Sequence, residues 1–210
     1  MLINILSGNL HFFNTYALIY PFLRYRRQLR SLGIRFNIYS KFHPKIRDCN
    51  ILILDSKAFR DYWHNNADLA LEKLDGLREG DHKLLWFNSG DSTGLIQNQV
   101  IDIVDRYYKN QLLHDRSAYA RPYYGGRTYT DYYHRHADVN DLDVIWSSPL
   151  NADQIQKLRV SWNLGLSPFV DYRTNLIMRL LPRALPRVKI NPRITDDVLS
   201  NVHQRTTVVT

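Results

Sequence analysis

The chain has a single cysteine, Cys49, in 210 residues. That excludes an internal disulfide and any zinc site built from several thiolates, and it makes a reducing cytoplasm the expected setting. Long apolar runs are also missing: none approaches the roughly 20 residues that a membrane-spanning helix needs. The start, "MLINILSGNLHFF", has no basic segment before its apolar stretch and no small-residue cleavage site, so it does not read as a secretory leader. There is no Walker lysine motif. No G-x-G-x-x-G follows the first apolar run, which ranks nucleotide-driven and dinucleotide-dependent chemistry low. Two histidines alternate in "HRH" (His134, His136), but no third ligand stands at a convincing spacing, so no metal is expected. His11, His43 and His64 read as isolated residues making ordinary hydrogen bonds.

What is present is a mixed composition with a basic excess. Twenty-eight Lys and Arg face 20 Asp and Glu, a formal charge of +8, which favours phosphates, anionic headgroups or nucleic acid without choosing among them. One basic cluster is "YRRQLR" (Tyr25 to Arg30). Another runs through Arg173, Arg179, Arg183, Arg187, Lys189 and Arg193.

The periodicities describe an alternating α/β chain. "LINIL" (Leu2 to Leu6) is a short strand ending in the turn Ser7-Gly8-Asn9. Leu18, Phe22, Tyr25, Leu29 and Leu32 recur at helical spacing, with Gly33 as the stop and Pro21 marking either a kink or a start. "IRFNIY" alternates as a half-buried strand, and "ILIL" (Ile51 to Leu54) is apolar on both faces, as a central parallel strand is. Asn66 caps a predicted helix bearing Ala70, Leu71, Leu74 and Leu77, with Gly80 after it. "KLLWF" is a further strand, and "VIDIV" (Val100 to Val104) and "DVIW" (Asp143 to Trp146) are read as two more.

This rhythm predicts an open, mostly parallel Rossmann-like sheet with helices on both faces, occupying residues 1–170. A tyrosine-rich stretch, 106–140, interrupts it and reads as an inserted loop or lid. Residues 171–210 mix leucine, arginine and proline and read as a basic linker or as the start of a second half.

Ligands of such sheets lie outside the carboxyl ends of the strands. Three polar turns belong there: Ser7 to Asn9, Asp55-Ser56-Lys57, and Asn88 to Gly94. Their glycines allow close approach, and their hydroxyl, amide and carboxylate groups suit a hydroxyl-rich partner. The last turn, "GDSTG", also fits the G-x-S-x-G nucleophile elbow, with Asp138 or Asp141 and then His203 in triad order. A serine hydrolase using Ser92 is therefore an alternative. Tyrosines interleaved with arginines can stack on sugar rings or on bases, so a non-catalytic glycan- or nucleic-acid-binding module is a third reading. They can equally just cover a flank of the domain, and no RNA-binding signature is visible to raise the nucleic-acid reading.

"LLWFNSGDSTG", "VIDIVDRYYKNQLLHDRSAY", "DVIWSSPL" and "RVSWNLGLSPF" together resemble the N-terminal half of bacterial glycosyltransferases of the GT-B type, which act in cell-surface polysaccharide synthesis. The resemblance is diffuse over much of the chain. It implies a Rossmann-like, acceptor-side half facing a nucleotide-sugar-binding half across a cleft. It implies no cofactor other than the nucleotide-sugar co-substrate, and a carbohydrate or lipid-linked acceptor. On this resemblance Ser7, Gly8, Asn9, His11, Ser92, Thr93, Gly94, Lys109 and Arg127 are the substrate-binding candidates.

Asp105 and Asp91 are the catalytic candidates. Asp105 is placed at or just beyond a strand end, where an aspartate can act as general base; it reads more readily as a structural partner of Arg106 or Lys109. Residues 171–193 suit peripheral contact with the inner membrane face, or an interdomain linker. No second nucleotide-binding half is visible, and the chain is expected to be inactive alone.

Overall fold

The computed structural model describes residues 1–90, 94–162 and 164. In chain order the elements are β1 (Leu2–Leu6), α1 (Phe13–Arg24), α2 (Arg26–Ser31), β2 (Arg35–Tyr39), β3 (Ile51–Asp55), α3 (Arg60–Asn65) and α4 (Ala67–Arg78). They continue with β4 (Lys83–Asn88), α5 (Asn98–Ile101), β5 (Arg106–Lys109), α6 (Thr128–Ala137), α7 (Ala152–Lys157) and β6 (Leu158–Val160). Among the described residues the six strands are all parallel and form one sheet in the order β2-β1-β3-β4-β5-β6. This is the expected open Rossmann-like α/β architecture.

Side chains alternate between the two faces of each strand, and each face buries its own cluster. Ile3, Ile5, Ile53 and Phe87 point toward α1, where Ala17, Leu18 and Ile19 meet them. Leu6, Leu52, Leu54, Leu84, Trp86 and Tyr107 point the other way, toward Leu74 and Leu77 of α4 and Val100 and Ile101 of α5. The chain therefore runs outward from the centre in two directions. It goes from β1 to the β2 edge under α1 and α2, and from β3 to β4 under α3 and α4 on the opposite face. Right-handed crossovers require this arrangement. The point of reversal, between β1 and β3, is where a doubly wound sheet opens a crevice.

Pro21 lies inside α1 rather than at its start. The helix breaks four residues later, at Tyr25, whose N–H donates to the Pro21 carbonyl at 2.9 Å. Asn66 caps α4 as expected, accepting from Leu69 N at 3.0 Å.

Three expectations are corrected. "VIDIV" is not a strand: Asn98–Ile101 is a single helical turn, and Val100, Ile101 and Val104 are buried together from its i, i+1, i+4 spacing. "DVIW" forms no strand either; Ile145 is 80% exposed. The tyrosine-rich insertion begins after β5, not at 106, because Tyr107 and Tyr108 are strand residues paired with Trp86 and Phe87. Within the insertion, Tyr119, Tyr123 and Tyr124 are buried, Tyr119 in the core cluster on one face of the sheet and Tyr124 against His134 and Trp146, while Tyr129, Tyr132 and Tyr133 of α6 are exposed. No helix among the described residues is long and apolar enough to cross a membrane. The expected linker, 171–210, lies outside the described residues.

Candidate functional site

Because all the strands are parallel, the turns after β1, β3 and β4 emerge on one rim. The buried carboxylate of Asp55, at the end of β3, ties them together. Its Oδ2 accepts from Gly8 N at 3.2 Å, and its Oδ1 accepts from Lys57 N at 3.1 Å and from Ser89 Oγ at 3.0 Å. Ser89 N in turn donates to Ser56 Oγ at 3.2 Å, and Asn14 of α1 donates to the Ser89 carbonyl at 3.0 Å. Burial raises the Asp55 carboxyl above the usual carboxylate range; the hydrogen bonds from Lys57, Gly8 and Ser89 oppose that rise.

The loop after β4 has its own support. Asn88 Oδ1 accepts from Gly90 N at 2.9 Å, while its amide donates to the Tyr107 hydroxyl at 2.7 Å. Burial pushes the Tyr107 phenol up to about 12, so this hydroxyl stays neutral and can both accept and donate. Lys109, 1% exposed, reaches back to donate to the Gly90 carbonyl at 2.9 Å.

Above the switch point lies a cleft of about 980 Å³. One wall is the Ser7–Phe12 loop that leads into α1, and a second is Ser40–Lys41 after β2. The third is Lys57–Ala58 with Arg60, Asp61 and His64 of α3. The Arg60 guanidinium lies 5.7 Å from the centre of the Phe12 ring, which links two of these walls by a cation–π contact. Hydroxyl, amide, imidazole, ammonium and carboxylate groups all face one space there. Such a set can hold a polar ligand in a fixed orientation and can exchange a proton with it.

Of the predicted residues, the structure brings Ser7, Gly8, Asn9 and His11 together in this cleft, and it adds Lys41, Arg60 and His64, which sequence reasoning missed. Lys57 belonged to a turn already placed on this rim. The only signal for the missed ones is position: each follows β2 or β3, and the order of strands in the sheet makes those ends neighbours of β1.

The other candidates fall elsewhere. Asp91, Ser92 and Thr93 lie outside the described residues, as does His203. Gly94, at φ 81°, sits against Leu113 and is not part of the cleft walls. Lys109 supports the β4 loop from below. Arg127 precedes α6, with its guanidinium over the Tyr129 ring at 5.6 Å, in the insertion.

Asp105 is corrected outright. It precedes β5 rather than following a strand, so it stands at the amino rim. There it accepts from Leu84 N at 2.8 Å and pairs with Lys83 at 3.3 Å, not with Arg106 or Lys109 through its side chain. The hydrolase context is incomplete as well. Gly94–Gln97 is not helical, and α5 begins only at Asn98, whereas an elbow needs its helix directly after the serine. Asp141 is engaged by the Tyr124 hydroxyl, which donates to it at 3.1 Å.

His134 and His136 lie two residues apart on α6, so they diverge. His134 stacks on Tyr124 and His136 on Tyr132. Among the described residues no group of three or more His, Cys, Asp and Glu converges on a metal-sized space.

The fold and the cleft define a doubly wound, Rossmann-like α/β domain with a crevice over β2, β1 and β3. Comparison of the chain with protein-family models, with curated proteins and with solved structures finds no match.

Proposed function

We propose that this chain is the acceptor-side half of a GT-B-like glycosyltransferase and that its switch-point cleft holds a saccharide acceptor. The observation that carries the proposal is the convergence of Asn9, His11, Ser40, Asp61 and His64 on one crevice at the carboxyl ends of β1, β2 and β3. A hydroxyl-rich ligand needs many donors and acceptors at short range, and this crevice supplies them from three separate loops. Sugar transfer also needs a group to take the proton of the attacking hydroxyl. His11, His64 and Asp61 are the titratable groups of the cleft suited to that role, in place of Asp105. The nucleotide-sugar is then the co-substrate, held chiefly by a partner half, and no further cofactor is required.

Titration calorimetry against a panel of neutral and charged oligosaccharides tests this reading. His11→Ala should weaken saccharide binding roughly three- to tenfold, the range expected when one hydrogen bond to a ligand is lost. Asp105→Asn, at the far rim, should leave the affinity unchanged. Labelling of Ser92 by a serine-reactive phosphonate, with no saccharide bound at all, would replace the transferase by the hydrolase.

A further inference from the structure

The switch-point cleft continues into a second cavity of about 690 Å³, and Ser40, Lys41, Ala58 and Asp61 line both. Either lobe alone has the size of an ordinary ligand pocket, roughly 300–1,000 Å³. Joined along that shared wall, they make a groove that runs from the β1–α1 loop to the start of α4. Both lobes mix polar and apolar surface. In the first, Leu10 and Phe12 lie among polar side chains, and the second adds Leu6, Phe42, Tyr62 and Leu69 as apolar and aromatic surface. Lys73 stands over that surface, its ammonium 4.9 Å from the Phe42 ring centre and 5.3 Å from that of Tyr62.

The charge of the groove is one-sided. Lys57 and Arg60 face the first lobe, Lys41 the junction and Lys73 the second, against one carboxylate, Asp61, among the described residues of the lining. Over the whole chain the ratio is 28 to 20, so the groove is far more basic than the average surface. None of these four cations takes part in an ion pair among the described residues, where Arg47, Lys83 and Arg135 each have an acidic partner. The amino end of α1 borders the first lobe with no acidic side chain in its first turn, so the helix dipole adds to the same field. A low-lying groove with uncompensated cations concentrates anions.

We propose that the groove binds an elongated, negatively charged saccharide of two or more units. A phosphate or carboxylate group sits among Lys41, Lys57 and Arg60. A neighbouring ring packs on Phe42 and Tyr62 beside Lys73, since sugar rings present apolar C–H faces to aromatic side chains. This rests on the saccharide reading of the cleft and adds to it the charge and length of the ligand.

Calorimetry with five probes separates the claims: tetragalacturonate, neutral maltotetraose of the same length, glucose phosphate, inorganic phosphate, and a short oligothymidylate. Tetragalacturonate should bind on the order of tenfold tighter than maltotetraose at low ionic strength, and the advantage should shrink as salt is added. Lys41→Gln and Lys73→Gln should each weaken tetragalacturonate two- to fivefold, about what one exposed charge pair contributes. The unfolding midpoint should be unchanged for Lys41→Gln and slightly lower for Lys73→Gln, which also loses its contacts with the Phe42 and Tyr62 rings. Lys73→Gln should leave glucose phosphate unaffected, while Arg60→Gln should weaken it.

Equal affinity for maltotetraose and tetragalacturonate would overturn the charge claim and leave the saccharide reading standing. Inorganic phosphate binding as tightly as tetragalacturonate would overturn the elongated ligand. Oligothymidylate binding tighter than every saccharide would overturn both readings in favour of a nucleic-acid groove, and no binding by any probe would overturn both as well.

Discussion

Asp55→Ala should unfold at markedly lower denaturant than the parent chain, with a loss on the order of 3 kcal/mol. The substitution leaves Gly8 N, Lys57 N and Ser89 Oγ without the acceptor that now joins them, and each buried donor left unpaired costs about 1–3 kcal/mol. Water reaching the partly buried Lys57 amide offsets some of that sum. On the proposed function, saccharide binding should fall with stability, because two of these bonds, from Gly8 N and Ser89 Oγ, hold the β1 and β4 loops against β3.

The pH dependence gives a second readout of the same group. Burial raises the Asp55 carboxyl, so the folded chain keeps this proton at pH values where the unfolded chain has lost it. The associated stabilisation is complete below the ordinary carboxylate range and is lost as pH rises through the raised folded value. Asp55→Asn should lose about 1 kcal/mol, since its single carboxamide oxygen cannot serve all three donors, and its stability should be flatter across that window. Chemical denaturation at a series of pH values measures both effects.

Gly8→Ala should weaken ligand binding about tenfold or more and cost about 1–3 kcal/mol of stability. A methyl group at Gly8 would lie 2.8 Å from Lys57 Cβ, 3.0 Å from the Lys57 carbonyl carbon and 3.1 Å from Thr15 Oγ1. Backbone lies on one side and a buried helix residue on the other, so the β1–α1 loop has to move. It carries Asn9 and His11 out of the cleft as it goes. Gly76→Ala is the control. Its methyl would meet nothing within 4 Å, and Gly76 is inside α4, so this variant should gain about 0.5–1 kcal/mol with binding unchanged. Thermal unfolding and calorimetry on the two variants separate a local clash from a general sensitivity to methyl groups.

Much of the sheet was legible because β1, β3 and β4 are short apolar runs ended by polar turns, which is how strands buried on both faces read. β2 announced itself by alternation, and α4 by its Asn cap and leucine spacing. β5 was hidden because "RYYK" has no aliphatic residue and sits among other tyrosines; only its pairing with β4 shows that Tyr107 is core. "VIDIV" misled through β-branched propensity, which the burial of Val100, Ile101 and Val104 on one helical face overrode.

In the cleft, the β1 turn was legible as a glycine between polar residues after a strand. Lys41, Arg60 and His64 were not, because no local pattern marks them. They meet His11 only because β2 and β3 flank β1, and that order belongs to the tertiary structure. Asp105 misled for the converse reason: with "VIDIV" read as a strand, the aspartate after it fell at a carboxyl end, whereas it precedes β5 and faces the opposite rim.

Mapping backbone amide chemical shifts as tetragalacturonate is titrated into the full chain tests the placement of the site most directly. The shifts should concentrate in residues 7–12, 40–42 and 57–64, with the Lys83 and Asp105 end of the sheet silent. Perturbations confined to that amino rim, or to the exposed tyrosines of α6, would contradict it.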